Sequence, residues 1–367
     1  MHREPRHSRF DKIAIANRAP FIAPDPAHCP PILRSLQAAP ETKRQHPMIR
    51  KLLTFAALAL AFTAVQAQPY PAKPVRLIVP FPPGGGTDIL SRLVATKLTE
   101  VSKWTVVPDN RAGAGGTIGI AEAVRAQPTG YEIVMGQKDN MVVAPWLYKN
   151  LSYEPTKDLM AVAHVAYTPV VIVTRTESKF KTLKDVVDAA RVAPDTITYG
   201  SPGNGTTIHL AGEIFKSAAN IKMRHVPYKG SNPAMMDVLA GNVDLMVSSL
   251  PSAMGQIKSG KLRALAVTSA KRSSSLSDVP TVAELGYKDF DVSTWYGLFA
   301  PAGTPREIIT TLNAEVNKLL ATPDMKAAII AQGAEPQGMT PEQFGTLLKT
   351  DYLKWRDIVK ASGAVIE

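Results

Sequence analysis

Two glycine-rich stretches carry the clearest chemical signal in the chain. The first, Phe81-Pro82-Pro83-Gly84-Gly85-Gly86-Thr87-Asp88, follows an apolar run from Val75 to Val79. It opens a pattern with Leu90, Leu93, Val94 and Leu98 at helical spacing. Consecutive glycines let bare backbone N–H groups approach a ligand. A helix N-terminus behind them adds partial positive charge. Together they make a site for a small anion such as a carboxylate. A second stretch, Gly200-Ser201-Pro202-Gly203-Asn204-Gly205-Thr206-Thr207, has the same build: a short strand before it and a helix after it. Two such loops in one chain imply two walls of one cleft. Read by itself, the triple glycine also fits a tight strand–helix turn, and Thr87, Thr206 and Thr207 fit plain helix caps.

Other residues near these loops extend the list of candidates. His209 stands on the first turn after the second loop, suited to a ligand hydrogen bond or to a partly buried structural role. Lys138 offers a cation for a second ligand carboxylate, while its neighbour Asp139 either cancels that charge or meets a ligand amine. Tyr228, followed by Lys229 and Gly230, places a ring and a cation near the cleft, with a surface role the plainer reading for Lys229. Ser248 and Ser249 close one strand and offer hydroxyl donors; Asp244, after a Gly241-x-Val243 turn, fixes its loop. Trp295 and Tyr296 line the cleft or pack at a hinge.

Several familiar signatures fail on inspection. Gly84-x-Gly86 is followed by Ile89 where a dinucleotide fingerprint needs glycine. Gly255-x-x-x-x-Gly260-Lys261 continues with Leu262 where a phosphate loop needs Ser or Thr, and it enters a strand instead of leaving one. There is no Gly-x-Ser-x-Gly elbow. Beyond the leader described below, the chain has no cysteine and only three histidines, His164, His209 and His225, without zinc-binding spacing. No catalytic residue, metal or cofactor is therefore expected.

The elements that must position these loops alternate between strand and helix, which predicts α/β layers with largely parallel sheets. Strands are expected at Val75–Phe81, Ile133–Gly136, Val170–Thr174, Thr196–Gly200, Val243–Val247, Leu262–Thr268 and Trp295–Ala300. Helices are expected from Thr87-Asp88, over Leu183–Ala193 and Thr207–Ala219, and through the tail as Pro305–Ala321, Pro323–Gln332 and Pro341–Ala361. The simplest architecture is two α/β lobes, each offering its glycine loop at the C-terminal edge of a sheet.

The 367 residues carry a formal charge of +11, unevenly spread. Residues 1–67 hold ten Lys/Arg against four Asp/Glu, whereas the remainder holds 32 against 27. That remainder is an ordinary soluble surface, so a nucleic-acid partner is not expected. Met48-Ile49-Arg50-Lys51 reads as the basic start of a secretory signal, Leu52–Val65 as its apolar stretch and Val65-Gln66-Ala67 as its cleavage site. The apolar stretch is shorter than the ~20 residues of a membrane span. Cleavage after Ala67 would start the mature protein at Gln68. Residues 1–47, rich in Pro, Arg and His, read as a start codon assigned too early or as a disordered extension. The one cysteine, Cys29, lies in that leader.

The ordered set of motifs resembles the Bug receptors, the extracytoplasmic solute-binding proteins of tripartite tricarboxylate transporters. The resemblance is carried by Tyr70-Pro71-x-Lys73-Pro74-x-Arg76, the first glycine loop, Asn110-Arg111-x-Gly113-Ala114-Gly115-Gly116 and Gln127-Pro128-x-Gly130-Tyr131. It continues through Gly203-x-Gly205-Thr206-x-x-His209-Leu210, Val226-Pro227-Tyr228-Lys229-Gly230, Gly260-Lys261-Leu262-Arg263, Asp278-Val279-Pro280-Thr281 and Pro301-Ala302-Gly303-Thr304-Pro305. It implies a type II periplasmic binding protein, with residues 68–168 and 291–367 in one domain and 169–290 in the other. It further implies a periplasmic, monomeric, non-enzymatic receptor that binds a small carboxylate through the loops at 81–88 and 200–207 and hands it to two membrane permease subunits. Docking on a sensor kinase, or enzymatic action on a small carboxylate, are the alternatives. One segment departs from the family's common Thr-His-x-x-Asn-Pro run: here Gln137-Lys138-Asp139 precedes Asn140-Met141-Val142-Val143-Ala144-Pro145. Because that loop faces the cleft, the ligand of a relative does not transfer.

Overall fold

The computed structural model describes residues 70–362. The expected leader, signal peptide and cleavage site lie outside the described residues. The first part of the chain runs β1 (Val75–Val79), α1 (Gly86–Ser102), β2 (Val106–Asn110), α2 (Thr117–Val124) and β3 (Glu132–Gln137). A π-type turn, Asp139–Val143, leads through the short helices α3 (Ala144–Leu147) and α4 (Pro155–Asp158) into the long strand β4 (Leu159–Arg175). Next come α5 (Leu183–Val192), β5 (Thr198–Ser201), α6 (Thr207–Ala219), β6 (Arg224–Pro227), α7 (Ser231–Ala240), β7 (Leu245–Ser249), α8 (Leu250–Lys258) and β8 (Leu262–Val267). The chain returns through β9 (Ser293–Pro301) and ends in α9 (Arg306–Ala321), α10 (Pro323–Ala331), the two-residue β10 (Glu335–Pro336) and α11 (Pro341–Ser362).

The strands stand in the spatial order β2-β1-β3-β9-β4-β7-β5-β6, and β8 and β10 pair with β4. Parallel pairing is confined to the βαβ units: β1 with β2 and β3, and β5 with β6 and β7. Both β4 and β9 run antiparallel to their neighbours, which corrects the expectation of largely parallel sheets. The reason is topological. These two strands carry the chain out of one sheet half and back into it, and each runs opposite to the strands it meets. Strand β4 is far longer than the Val170–Thr174 read from sequence. Its Leu159–Pro169 part pairs with β9 and its Val170–Arg175 part with β7 and β8. The changeover falls at Pro169, which has no N–H to give to a ladder. Two α/β lobes result, joined through β4 and β9.

Local chemistry explains the elements that hold the loops. Helix α1 starts where Gly85 is extended (φ −80, ψ 164) and its carbonyl accepts the first helical bond, from Ile89 N–H at 3.0 Å. Leu90, Val94 and Leu98 are buried against Leu77, Val79, Ile133 and Leu298. Arg76 fixes β1 between its neighbours by bonding Asp109 (2.6 Å) on β2 and Glu132 (2.8 Å) on β3. Helix α6 is capped by Thr206, whose hydroxyl accepts from His209 N–H at 3.1 Å. Sequence reading passed over β2, α2, β6, α7 and α8. Pro108 lies within β2, and Pro233 in α7 and Pro251 in α8 stand in the first helical turn, where a proline costs no intrahelical bond.

Candidate ligand-binding cleft

Four helices, α1, α6, α7 and α8, begin at one cleft, α8 directly after the C-terminal end of a strand and the others after a short loop from one. Gly86, Ile208, Ser231 and Ser249 bring these helix starts to its wall. The remaining lining is Phe81, Pro82, Gly85, Thr87, Gln137, Asp139, Pro202, Gly230 and Tyr296. First-turn N–H groups have no intrahelical acceptor, so the four ends together present partial positive charge to the cavity. Among the described lining residues there is no Lys, Arg or His, and the single formal charge is the carboxylate of Asp139.

A chain of hydrogen bonds crosses the cleft from one glycine loop to the other. Thr87 Oγ1 donates to Gln137 Oε1 at 2.6 Å. Gln137 Nε2 donates to Asp139 Oδ2 at 2.7 Å. The backbone N–H of Thr207, in the first turn of α6, donates to Asp139 Oδ1 at 2.9 Å. Asp139 is 3 % exposed. Burial pushes its carboxyl above the usual range, against the lowering effect of the Thr207 and Gln137 donors. At the rim, Asn232 Nδ2 of α7 donates to Pro83 O at 3.2 Å, and Pro82 packs on Gly230. These contacts close the cleft to about 20 Å³, room for roughly one water.

The candidate residues from sequence fall into two groups. Phe81, Pro82, Gly85, Gly86 and Thr87 line the cleft, and Pro83, Gly84 and Thr207 stand at its edge in contacts between the two walls. Gly84 approaches Asn232 of the opposite wall most closely; a Cβ on Gly86 would lie 2.7 Å from Ser249 Oγ across the cleft and 2.6 Å from Tyr296 Oη on its own side. Gly200, Ser201, Gly203, Asn204, Gly205 and Thr206 are absent from the lining, which takes only Pro202 and Ile208 from that stretch. Ser201 Oγ bonds His225 Nε2 at 2.7 Å, and Thr206 Oγ1 donates to Gly203 O at 3.0 Å, so these residues shape the second loop from behind.

Other candidates are committed elsewhere. Lys138 points away from the cleft, its Nζ 3.2 Å from Asp351 Oδ2 on α11, where Trp295 Nε1 also donates at 2.8 Å. Strand β3 ends at Gln137; Lys138 is already helical (φ −51, ψ −38), and the π-type turn that follows puts Asp139 beside Gln137 while Lys138 faces α11. Asp88 accepts from Gly84 N–H (3.0 Å), Arg92 Nε (2.9 Å) and Asn110 Nδ2 (2.9 Å). Its burial alone would raise its carboxyl, but these donors and the Arg92 charge hold it below the usual range. It is thus a brace of the glycine loop. His209 Nδ1 accepts from Gly205 N–H at 3.2 Å and its ring stacks on His225 at 4.1 Å. Tyr228 donates to Asp237 at 2.5 Å within the α7 region. Ser248 is buried and bonds the carbonyl of Ser249, and the pleat turns Ser249 instead into the cleft. Asp244 holds β5 through Thr198 N–H at 2.9 Å.

Sequence reasoning takes Gln137 and Gly230 only as parts of cleft-side motifs and does not single out Pro202, Ile208 or Ser231 as lining. The available signal was the α7 start: Gly230-Ser231 is a third glycine-led helix N-terminus, hidden by the following Asn-Pro. Among the described residues, no three His, Cys, Asp or Glu gather as metal ligands, and no helix is long and apolar enough to cross a membrane.

The protein BugT of Bordetella pertussis is 35 % identical over 314 residues, covering 85 % of this chain and 96 % of BugT. A solved R. palustris protein with adipate superposes with a TM-score of 0.78 at 33 % identity, covering 81 % of this chain and 99 % of that one. MatC of Rhodopseudomonas palustris, solved with bound malate, gives 0.73 at 28 % identity, covering 79 % and 100 %. The family model described as "Tripartite tricarboxylate transporter family receptor" matches residues 90–364, and the chain belongs to that family of two-lobed binding proteins.

Proposed function

We propose that the protein is a periplasmic receptor that captures a small carboxylated metabolite and presents it to the membrane permease of a tripartite transporter. The observation that carries this reading is the convergence of four helix N-termini on one cleft without a lysine or arginine in its lining. Such a site stabilises an anion through neutral donors fixed by the fold, with no cation to desolvate. The ligand carboxylate binds at the first turn of α1, where Gly86 and Thr87 expose N–H groups and Tyr296 and Ser249 add hydroxyls. Two relatives solved with adipate and malate support a carboxylate as the ligand class.

Capture and release follow from the two-lobe design. With residues 68–168 and 291–367 taken as one domain and 169–290 as the other, β4 is, among the described residues, the strand whose two parts pair in both sheets, and the chain crossings at β4 and before β9 act as the hinge. A ligand that touches both walls favours the closed state by its differential affinity for it. The protein acts as a monomer, without turnover of its ligand, after export by the signal at 48–67.

A thermal-shift screen of protein first unfolded and refolded to strip bound solute tests this reading. The ligand should stabilise by about 2.7 kcal/mol at a hundredfold excess over Kd. A shift with an acid that vanishes with its neutral amide supports it. Flat curves across carboxylates of refolded protein refute it, and conversion of the bound acid would turn the receptor into an enzyme.

A further inference from the structure

We propose that Asp139 sets the ligand class of the cleft: it selects a monocarboxylate that carries an ammonium group over a dicarboxylate of the same length. The proposal deepens the carboxylate-receptor reading and rests on it. Its basis is the charge and donor inventory of the cavity. One end, at the α1 start, supplies donors only. The other end holds a fully buried carboxylate, and it is the one formal charge among the described lining residues.

Asp139 is not neutralised by a cation. The adjacent Lys138 is paired with Asp351 on the outer side, and the Asp139 contacts are the neutral donors Thr207 N–H and Gln137 Nε2. Each oxygen accepts one of these bonds, whereas an ionised carboxylate has about four acceptor sites. Acceptor capacity is therefore left over beside the cavity. An ammonium group has three donors and the complementary charge, so it uses that capacity and holds ionised a carboxyl that burial by itself pushes up. A second ligand carboxylate brings a like charge and no donor to the same place, where low polarity strengthens the repulsion. Gln137 ties the two ends together: its oxygen accepts from Thr87 and its amide donates to Asp139, so the anion end and the cation end are held at a fixed separation.

The test is calorimetric titration of the refolded protein and of Asp139→Asn with three four-carbon probes: butanoate, succinate and 4-aminobutanoate, together with 2-aminobutanoate to vary the place of the amine. A parallel six-carbon set (hexanoate, adipate, 6-aminohexanoate, 2-aminohexanoate) covers a longer cleft. Asn keeps the shape and its Oδ1 still accepts from Thr207 N–H; its Nδ2 then faces Gln137, whose amide must turn so that Oε1 accepts from it and Nε2 donates to Thr87 Oγ1, and unchanged circular dichroism and urea unfolding check the fold. The expected result is that an amino acid of one set binds at least about tenfold tighter than the matching dicarboxylate. In Asp139→Asn its affinity should fall roughly 10- to 100-fold, the range for losing a charged hydrogen-bond partner, while the dicarboxylate gains. A wild-type preference for succinate or adipate, or an amino-acid affinity unmoved by Asp139→Asn, overturns the proposal while leaving a carboxylate receptor in place. Failure of every acid to bind either protein overturns the carboxylate reading itself, and the proposal with it.

Discussion

Replacing Gly86 with alanine separates closure of the cleft from stability of the fold. The glycine lies in the first turn of α1 with ordinary helical geometry, so its φ does not demand glycine. In a helix, alanine is favoured over glycine by roughly 0.5–1 kcal/mol. Against that gain stands the space: the new Cβ falls 2.6 Å from Tyr296 Oη and 2.7 Å from Ser249 Oγ. Both distances are far inside van der Waals contact. Tyr296 is 1 % exposed and has no room to retreat. Ser249 can rotate only by leaving Ser252 Oγ at 2.8 Å. Overpacking of this kind costs about 1–3 kcal/mol. The Tyr296 clash lies within one sheet half and weakens the fold; the Ser249 clash lies across the cleft and weakens closure. Ligand affinity should therefore fall by about 5- to 150-fold. Adding Tyr296→Phe removes the Oη and should restore unfolding stability to within about 1 kcal/mol of the wild type, with the helix-propensity gain now unopposed in the same half. Titration calorimetry reads the affinity and urea unfolding the stability. A Gly86→Ala protein that binds its ligand within twofold of the wild type would refute the placement of Gly86 at the closing face.

Further expectations concern the groups around the cleft. Lys138→Met should destabilise the fold by about 3–5 kcal/mol in urea unfolding, since it strands Asp351 in a buried site; ligand preference among surviving protein should not change. His164 is buried, and desolvation holds its imidazole down to about 4 while Nδ1 bonds Gln337 O at 2.7 Å. Its folded pKa is depressed, so it contributes stability above the unfolded value near 6.5 that is lost as pH falls through about 4. The loss is roughly 3 kcal/mol, and His164→Gln should remove that part of the acid slope in urea titrations between pH 7.5 and 4. Thr206→Ala deletes the α6 cap and should cost about 0.5–2 kcal/mol in thermal unfolding, with a weaker ligand response because the second wall is built on that helix start.

Much of this protein was legible in its sequence wherever the cause is local. Alternation of apolar runs with helical periodicity marks β1, α1 and α6, because period and capping act within one element. Thr207–Ala219 was read with its observed bounds, helped by Thr206 in the cap position. The glycine loop at 81–88 was recognisable because backbone permissiveness belongs to the residue itself. The ordered motifs likewise placed the chain in its family.

What the tertiary structure decided involves partners far apart in the chain. Lys138 looked like a ligand cation until α11, near the other end of the chain, supplied Asp351. Asp139 was ambiguous because its partner is a backbone N–H of α6, a donor no side-chain pattern announces. Ser249, and not Ser248, faces the cleft because the register of β7 on β4 fixes which side of the pleat is the cleft. Strand β4 gained its N-terminal part chiefly from β9, which arrives about 120 residues later to complete the ladder. Sequence thus determined which segments can present bare donors. The packing of the two lobes determined which of those donors, and which single carboxylate, share one cavity.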